Sequence, residues 1–183
     1  MADGLFYWDS REPFNATDVA AVTLATTAKA LYPAGAFPNL GGQYFARPGK
    51  KMRIRLFGRI TTGLTPGNGS FNVYYGNGAD ATGVILMTGT PVALLPSQTN
   101  LSWACEIFVH CRSVGATGTL FCTGRALFNS GVQAGPILLP ASAAAVSGAC
   151  DLTTSNIISV QYLRSGSSAE TMQVHDIEVG ALN

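Results

Sequence analysis

Lys51-Met52-Arg53-Ile54-Arg55-Leu56-Phe57-Gly58-Arg59-Ile60-Thr61 alternates by side. Met52, Ile54, Leu56 and Ile60 share one parity, with Gly58 among them; Lys51, Arg53, Arg55 and Arg59 share the other. Successive side chains of a strand point to opposite faces, so this period of two predicts a strand with one buried face. Leu101–Cys111 repeats the pattern. Leu101, Trp103, Cys105, Ile107 and Val109 face one way, against Ser102, Ala104, Glu106 and His110, with Phe108 the exception.

Working outward, further strands are expected at Val22–Leu31, Gln43–Ala46, Ser70–Tyr75, Gly83–Thr88, Gly118–Phe128, Ile157–Leu163 and Thr171–Val179. In the last, Met172 and Val174 have one parity, Ile177 and Val179 the other. A slip of one residue predicts a β-bulge near His175–Asp176. The 21 glycines and 9 prolines are spread along the chain and separate these stretches. Thr65–Gly69 and Gly115–Gly118 read as turns. No window keeps a helical period. About nine strands with mixed connections predict an all-β antiparallel sandwich; a jelly roll fits best, and an immunoglobulin-like sandwich is the alternative. Residues 1–21 are read as an extended N-terminal arm and 22–183 as the sandwich domain.

Of 183 residues, 47% are hydrophobic and 11% charged, where soluble chains average about 25% charged. No run of about 18 apolar residues is present to form a membrane-spanning helix. So few charges protect a monomer poorly against association, which favours an oligomer or assembly subunit. The net charge of +1 implies no nucleic-acid partner. Met1–Asp9 lacks the basic, apolar and small-residue series of a secretory signal, so synthesis in a cytoplasm is expected. Cys105, Cys111, Cys122 and Cys150 match no zinc spacing and are expected as small core residues, with a Cys105–Cys122 cross-strand pairing as an alternative.

The chemistry-bearing residues form no catalytic pattern. His110 and His175 are the two histidines, and no Gly-x-Ser-x-Gly elbow accompanies them. Glu170, Asp176 and Glu178 cluster near the C-terminus without a ligand loop and read as a solvated face. Gly76-Asn77-Gly78 lacks the rest of a phosphate loop. The expectation is a non-enzymatic protein with no catalytic residue, no metal and no cofactor.

Three features suit contact with other protein. The first is basic: Arg47, Lys50, Lys51, Arg53, Arg55 and Arg59 are six of eleven cations, with no acid among them. Its readings are a solvated face or a docking stripe for acidic protein. The second is the aromatic N-terminal segment with Phe6, Tyr7, Trp8 and Phe14. The third is Gly131–Gly148, an uncharged segment holding Ile137, Leu138 and Leu139. Its readings are a crossover on the chain's own core, a short Ala-rich helix capped by Ser142, or a subunit contact. Interface residues are thus expected among Phe6, Tyr7, Trp8, Phe14, Lys51, Arg53, Arg55, Arg59, Ile137, Leu138 and Leu139. Tyr74, Tyr75 and Trp103 would be the aromatic platforms if a glycan were bound.

Four stretches resemble small virion proteins of tailed phages, particularly actinobacteriophages: Thr26–Pro33, Arg53–Thr62, Leu101-Ser102-Trp103 and Arg112–Thr119. The resemblance is one of overall pattern after about Val22. It implies a β-sandwich on a capsid or tail, often oligomeric. On that basis the chain is expected to be a capsid decoration or minor capsid subunit of the virion, assembled in the host cytoplasm. Its partners would be the major capsid protein or other virion proteins, with a homotrimer favoured. A tail or baseplate module for host glycan or receptor recognition is the alternative. Neither nucleic acid nor membrane is an expected partner.

Overall fold

A computed structural model of the chain describes residues 18–129, 136–142 and 146–182. Among them eleven strands build two antiparallel sheets packed face to face, with one short 3-10 turn at Ala34–Ala36. The strands are β1 Val22–Thr23, β2 Lys29–Ala30, β3 Lys51–Thr61, β4 Asn68–Gly76, β5 Val84–Thr88, β6 Val92–Ala93, β7 Leu101–Ser113, β8 Thr119–Phe128, β9 Ile137–Leu139, β10 Ile157–Arg164 and β11 Thr171–Ala181. One sheet runs β1-β11-β3-β7-β8-β9. The other runs β2-β10-β4-β5, with β6 also on β4. The opening strands pair with the closing ones, β3 with β11 and β4 with β10. Each sheet thus sets an early strand beside a late one, and the fold is an antiparallel β-sandwich.

The expected core is the observed one. Met52, Ile54, Leu56, Trp103, Ile107, Val109, Ile158 and Val160 are all buried. An aromatic cluster joins the sheets: Phe71 of β4 lies 5.5 Å from Trp103 of β7, 5.9 Å from Phe128 of β8 and 4.8 Å from Tyr162 of β10. Rings at such separations add attraction beyond their burial.

The expected bulge is present. Val174 faces Gly58 and Asp176 faces Phe57, leaving His175 as the extra residue. Gly58 is there for space: a Cβ would stand 1.9 Å from the Gln173 carbonyl oxygen and 2.9 Å from the Trp103 ring. The strand cannot carry a side chain where the neighbouring backbone and the indole both close in.

Two expected strands are different. Val22–Leu31 is not one strand, because β1 pairs β11 in one sheet and β2 pairs β10 in the other. The chain crosses between the layers from one to the next, and Leu24 and Ala28 are buried on the way. Gln43–Ala46 is a turn, with Gln43 at φ 68° and the adjacent Tyr44 and Phe45 both buried. Two successive inward side chains do not fit an alternating strand.

The expected arm lies outside the described residues as far as position 17. From Asp18 the chain follows β11: the Val19 N–H donates to the Val174 carbonyl at 3.0 Å. All four cysteines are free and buried. Cys105 stands opposite Ala126 and Cys122 opposite Val109, so the two are out of register for a cross-strand bond. Burial pushes both thiols well above the ordinary value, which keeps them protonated and unreactive at neutral pH.

Candidate interaction face

The polar parity of β3 looks out from the six-stranded sheet, and the register shows what stands beside it. Glu178, Arg55, Glu106 and Arg125 form one row across β11, β3, β7 and β8, with Leu138 of β9 at its end. Signs alternate along the row. Arg55 Nε donates to Glu106 at 2.8 Å, Arg125 Nη2 lies 3.0 Å from the other oxygen of Glu106, and Arg55 Nη1 lies 3.5 Å from Glu178. Arg53 adds a 2.5 Å contact to Glu178. The hydrogen bond from Arg55 holds the Glu106 carboxyl below the usual carboxylate range; partial burial pulls the other way, and Arg125 supports Arg55.

The basic run is therefore not a free positive stripe. Its acids come from distant sequence, Glu106 on β7 and Glu178 on β11. Arg59 donates to Ser102 Oγ at 2.7 Å and to the Asn100 carbonyl at 3.2 Å. Lys51 stands at the other end of β3, opposite His110. Partial burial, then Lys51 and Arg112, push the His110 imidazole below its ordinary value, so it is neutral at neutral pH.

The neighbouring row is apolar beyond its first residue. Asp176, Phe57, Ala104 and Leu127 follow one another across the same four strands. Phe57 is 44% exposed and Leu127 45%, large values for such side chains in strands. Between them Ala104 leaves a hollow of about 250 Å³, walled by Arg55, Phe57, Glu106, Arg125 and Leu127. A third row places Gly180, Arg53, Phe108 and Thr123 side by side.

The other expected interface residues are distributed as follows. Phe6, Tyr7, Trp8 and Phe14 lie outside the described residues. Ile137 and Leu139 turn inward and are buried in this chain's own core, whereas Leu138 is 74% exposed. The segment read as a crossover, helix or contact contains a three-residue strand, and alternation on β9 removes two of its three apolar residues from the surface. Val146 bridges to Phe121, and residues 143–145 of the expected helix lie outside the described residues. Tyr74, Tyr75 and Trp103 are buried, so they offer no exposed platform to a sugar.

The carboxylates grouped by sequence are separated by the fold. Glu178 joins the outer row, whereas Glu170 departs from the solvated face expected of it: it is fully buried, with Oε2 2.5 Å from Arg164 Nε. Ser168 Oγ donates to its other oxygen. His175, displaced by the bulge, meets Asp18 at 2.5 Å rather than its neighbour Asp176. Among the described residues no three His, Cys, Asp or Glu side chains gather as a metal site would need.

No family model matches the chain. No curated protein is similar to it. Among solved structures it is similar to a legume lectin-like domain from Entamoeba histolytica, at 7% identity and a TM-score of 0.30, over 89% of this chain and 90% of that one.

Proposed function

We propose that this chain is a structural subunit of a phage particle, a capsid decoration or minor capsid protein without enzymatic activity. In this reading the sandwich binds other virion proteins and stabilises the particle surface. The observation that carries it is the outer face of the six-stranded sheet. There Phe57, Leu127 and Leu138 are exposed beside charges already satisfied within the chain. Its carboxylates keep their partners when water leaves, so covering this face costs less than covering the same charges unpaired. The 11% charge content and the stretches resembling phage virion proteins support the same reading.

Mass spectrometry of purified particles tests it. The protein is expected in many copies per particle, retained through density-gradient purification. Particles that lack it would overturn the proposal. Depletion should also lower the temperature at which particles release their genome.

A further inference from the structure

We propose that the outer face of the six-stranded sheet pairs with the same face of a second copy, about a two-fold axis parallel to the strands and midway between β3 and β7. The pairing goes beyond the particle reading: it uses the same face, is argued from that face's geometry alone, and has a separate test.

Symmetry applied to the register selects that axis. An axis in the interface and along the strands reverses the order of strands but keeps each row at its own height. Then β3 lies over the partner's β7, and β11 over the partner's β8. The charged row reads minus, plus, minus, plus from Glu178 to Arg125. Reversed, it sets Arg55 over the partner's Glu106 and Glu178 over the partner's Arg125, so every charge meets its opposite. A two-fold axis across the strands instead sets Glu178 on the partner's Glu178, where like charges repel.

In the rows on either side, the two central pairs, those of β3 with β7, fit the same axis. Phe57 lies over the partner's Ala104, where the hollow of about 250 Å³ stands open. A cavity of about 150 Å³ accepts benzene, so a phenyl ring fits. Arg53 lies over the partner's Phe108, an arrangement that favours a cation on an aromatic face. A two-fold interface must be self-complementary, residue i meeting j and j meeting i. Here charge, size and aromatic character each satisfy that condition through one operation. Four strands about 4.8 Å apart and about nine residues long give a flat footprint of roughly 600 Å² per copy. That is below the roughly 800 Å² of a standard interface, which points to a reversible dimer with a micromolar dissociation constant.

Sedimentation velocity of the full chain, from about 1 to 300 μM, measures the association on the scale where micromolar affinity is read. The variants are Phe57→Ala, Ala104→Phe and the double exchange. Both positions face outward, and circular dichroism checks that each variant folds. Wild type is expected to dimerise. Either single change is made in both copies, so two symmetry-related contacts are lost; at about 2 kcal/mol each this should raise the dissociation constant about 1,000-fold and remove association from the measured range. The double exchange moves the phenyl ring to position 104 and the methyl group to position 57, so ring and hollow still face each other across the axis. It should restore association to within about threefold of wild type, because steric complementarity is regained at the same pair. A monomer throughout the range, a dimer indifferent to both single changes, or no rescue by the exchange would overturn the pairing. A wild-type monomer that dimerises only after removal of residues 1–17 would show the chain's own N-terminal segment to be the occupant, which also overturns it. If the dimer fails but particles contain the protein, the particle reading stands alone. If the dimer forms and particles lack the protein, the pairing stands and the particle reading falls.

Discussion

Trp103→Ala tests whether the two sheets are held by the aromatic cluster between them. Trp103 is 3% exposed and packs on Phe71 at 5.5 Å, with its ring under Gly58. A buried indole removes about 150–250 Å² from water. At about 25 cal/mol per Å² that is roughly 4–6 kcal/mol. One correction lowers the cost. The indole Nε1 has no hydrogen-bond partner, and a buried unsatisfied donor costs about 1–3 kcal/mol that truncation recovers. The expected loss is therefore about 3–4 kcal/mol, inside the range of about 3–5 for buried aromatics replaced by alanine. Trp103→Phe keeps a ring against Phe71 and removes the orphan donor, so it should cost under about 1.5 kcal/mol.

Urea unfolding followed by far-UV circular dichroism measures both, with the slope checked for two-state behaviour. Gly58→Ala sharpens the test. Its Cβ meets the Trp103 ring and also the Gln173 carbonyl, and Trp103→Ala relieves only the first contact. Gly58→Ala should thus remain destabilising by about 1–3 kcal/mol in both backgrounds, as overpacking does. A Trp103→Ala cost below about 1 kcal/mol, or full tolerance of Gly58→Ala once the indole is gone, would refute this packing.

Arg164→Met should cost about 3–5 kcal/mol, because it leaves Glu170 buried without its cation; adding Glu170→Leu should recover most of the loss in the same urea assay. The carboxyl of Glu106 is depressed in the folded chain, so its contribution is present above the unfolded carboxylate value and is lost as pH falls through the lower, folded one. Thermal melts should accordingly show Glu106→Gln equal to wild type in the most acidic buffers and less stable than wild type at neutral pH. On β9, Leu138→Ser should change stability by less than about 0.5 kcal/mol, and Leu139→Ala should cost about 2–5 kcal/mol; equal effects would show the strand's faces to be misassigned.

The long strands were legible because burial on one face writes a period of two into local sequence. Lys51–Thr61 has the bounds read from its alternation, and the slip of parity after Val174 marked the bulge. The short strands carried no such signal. Two residues at Val22–Thr23 or Val92–Ala93 cannot display a period, and Ile137–Leu139 looked like an unbroken apolar run. Each of those elements is defined by the strand it pairs with, β11, β4 or β8, and not by a period of its own.

The interaction face failed to read for a related reason. A strand's outward residues were visible, but their surroundings depend on which strands lie beside it. Arg53 and Arg55 looked like unopposed cations because Glu106 and Glu178 lie 51 and 123 residues from Arg55. Once β7 and β11 flank β3, the same residues form an alternating row, and the net field that would draw acidic protein is largely cancelled at the surface. What the row can still do is discriminate by position. An alternating pattern attracts a copy aligned in one register and repels it one strand out of step, since that shift sets like charges together. Low net charge and positional charge order are thus compatible. The first permits close approach, and the second fixes where the approach ends.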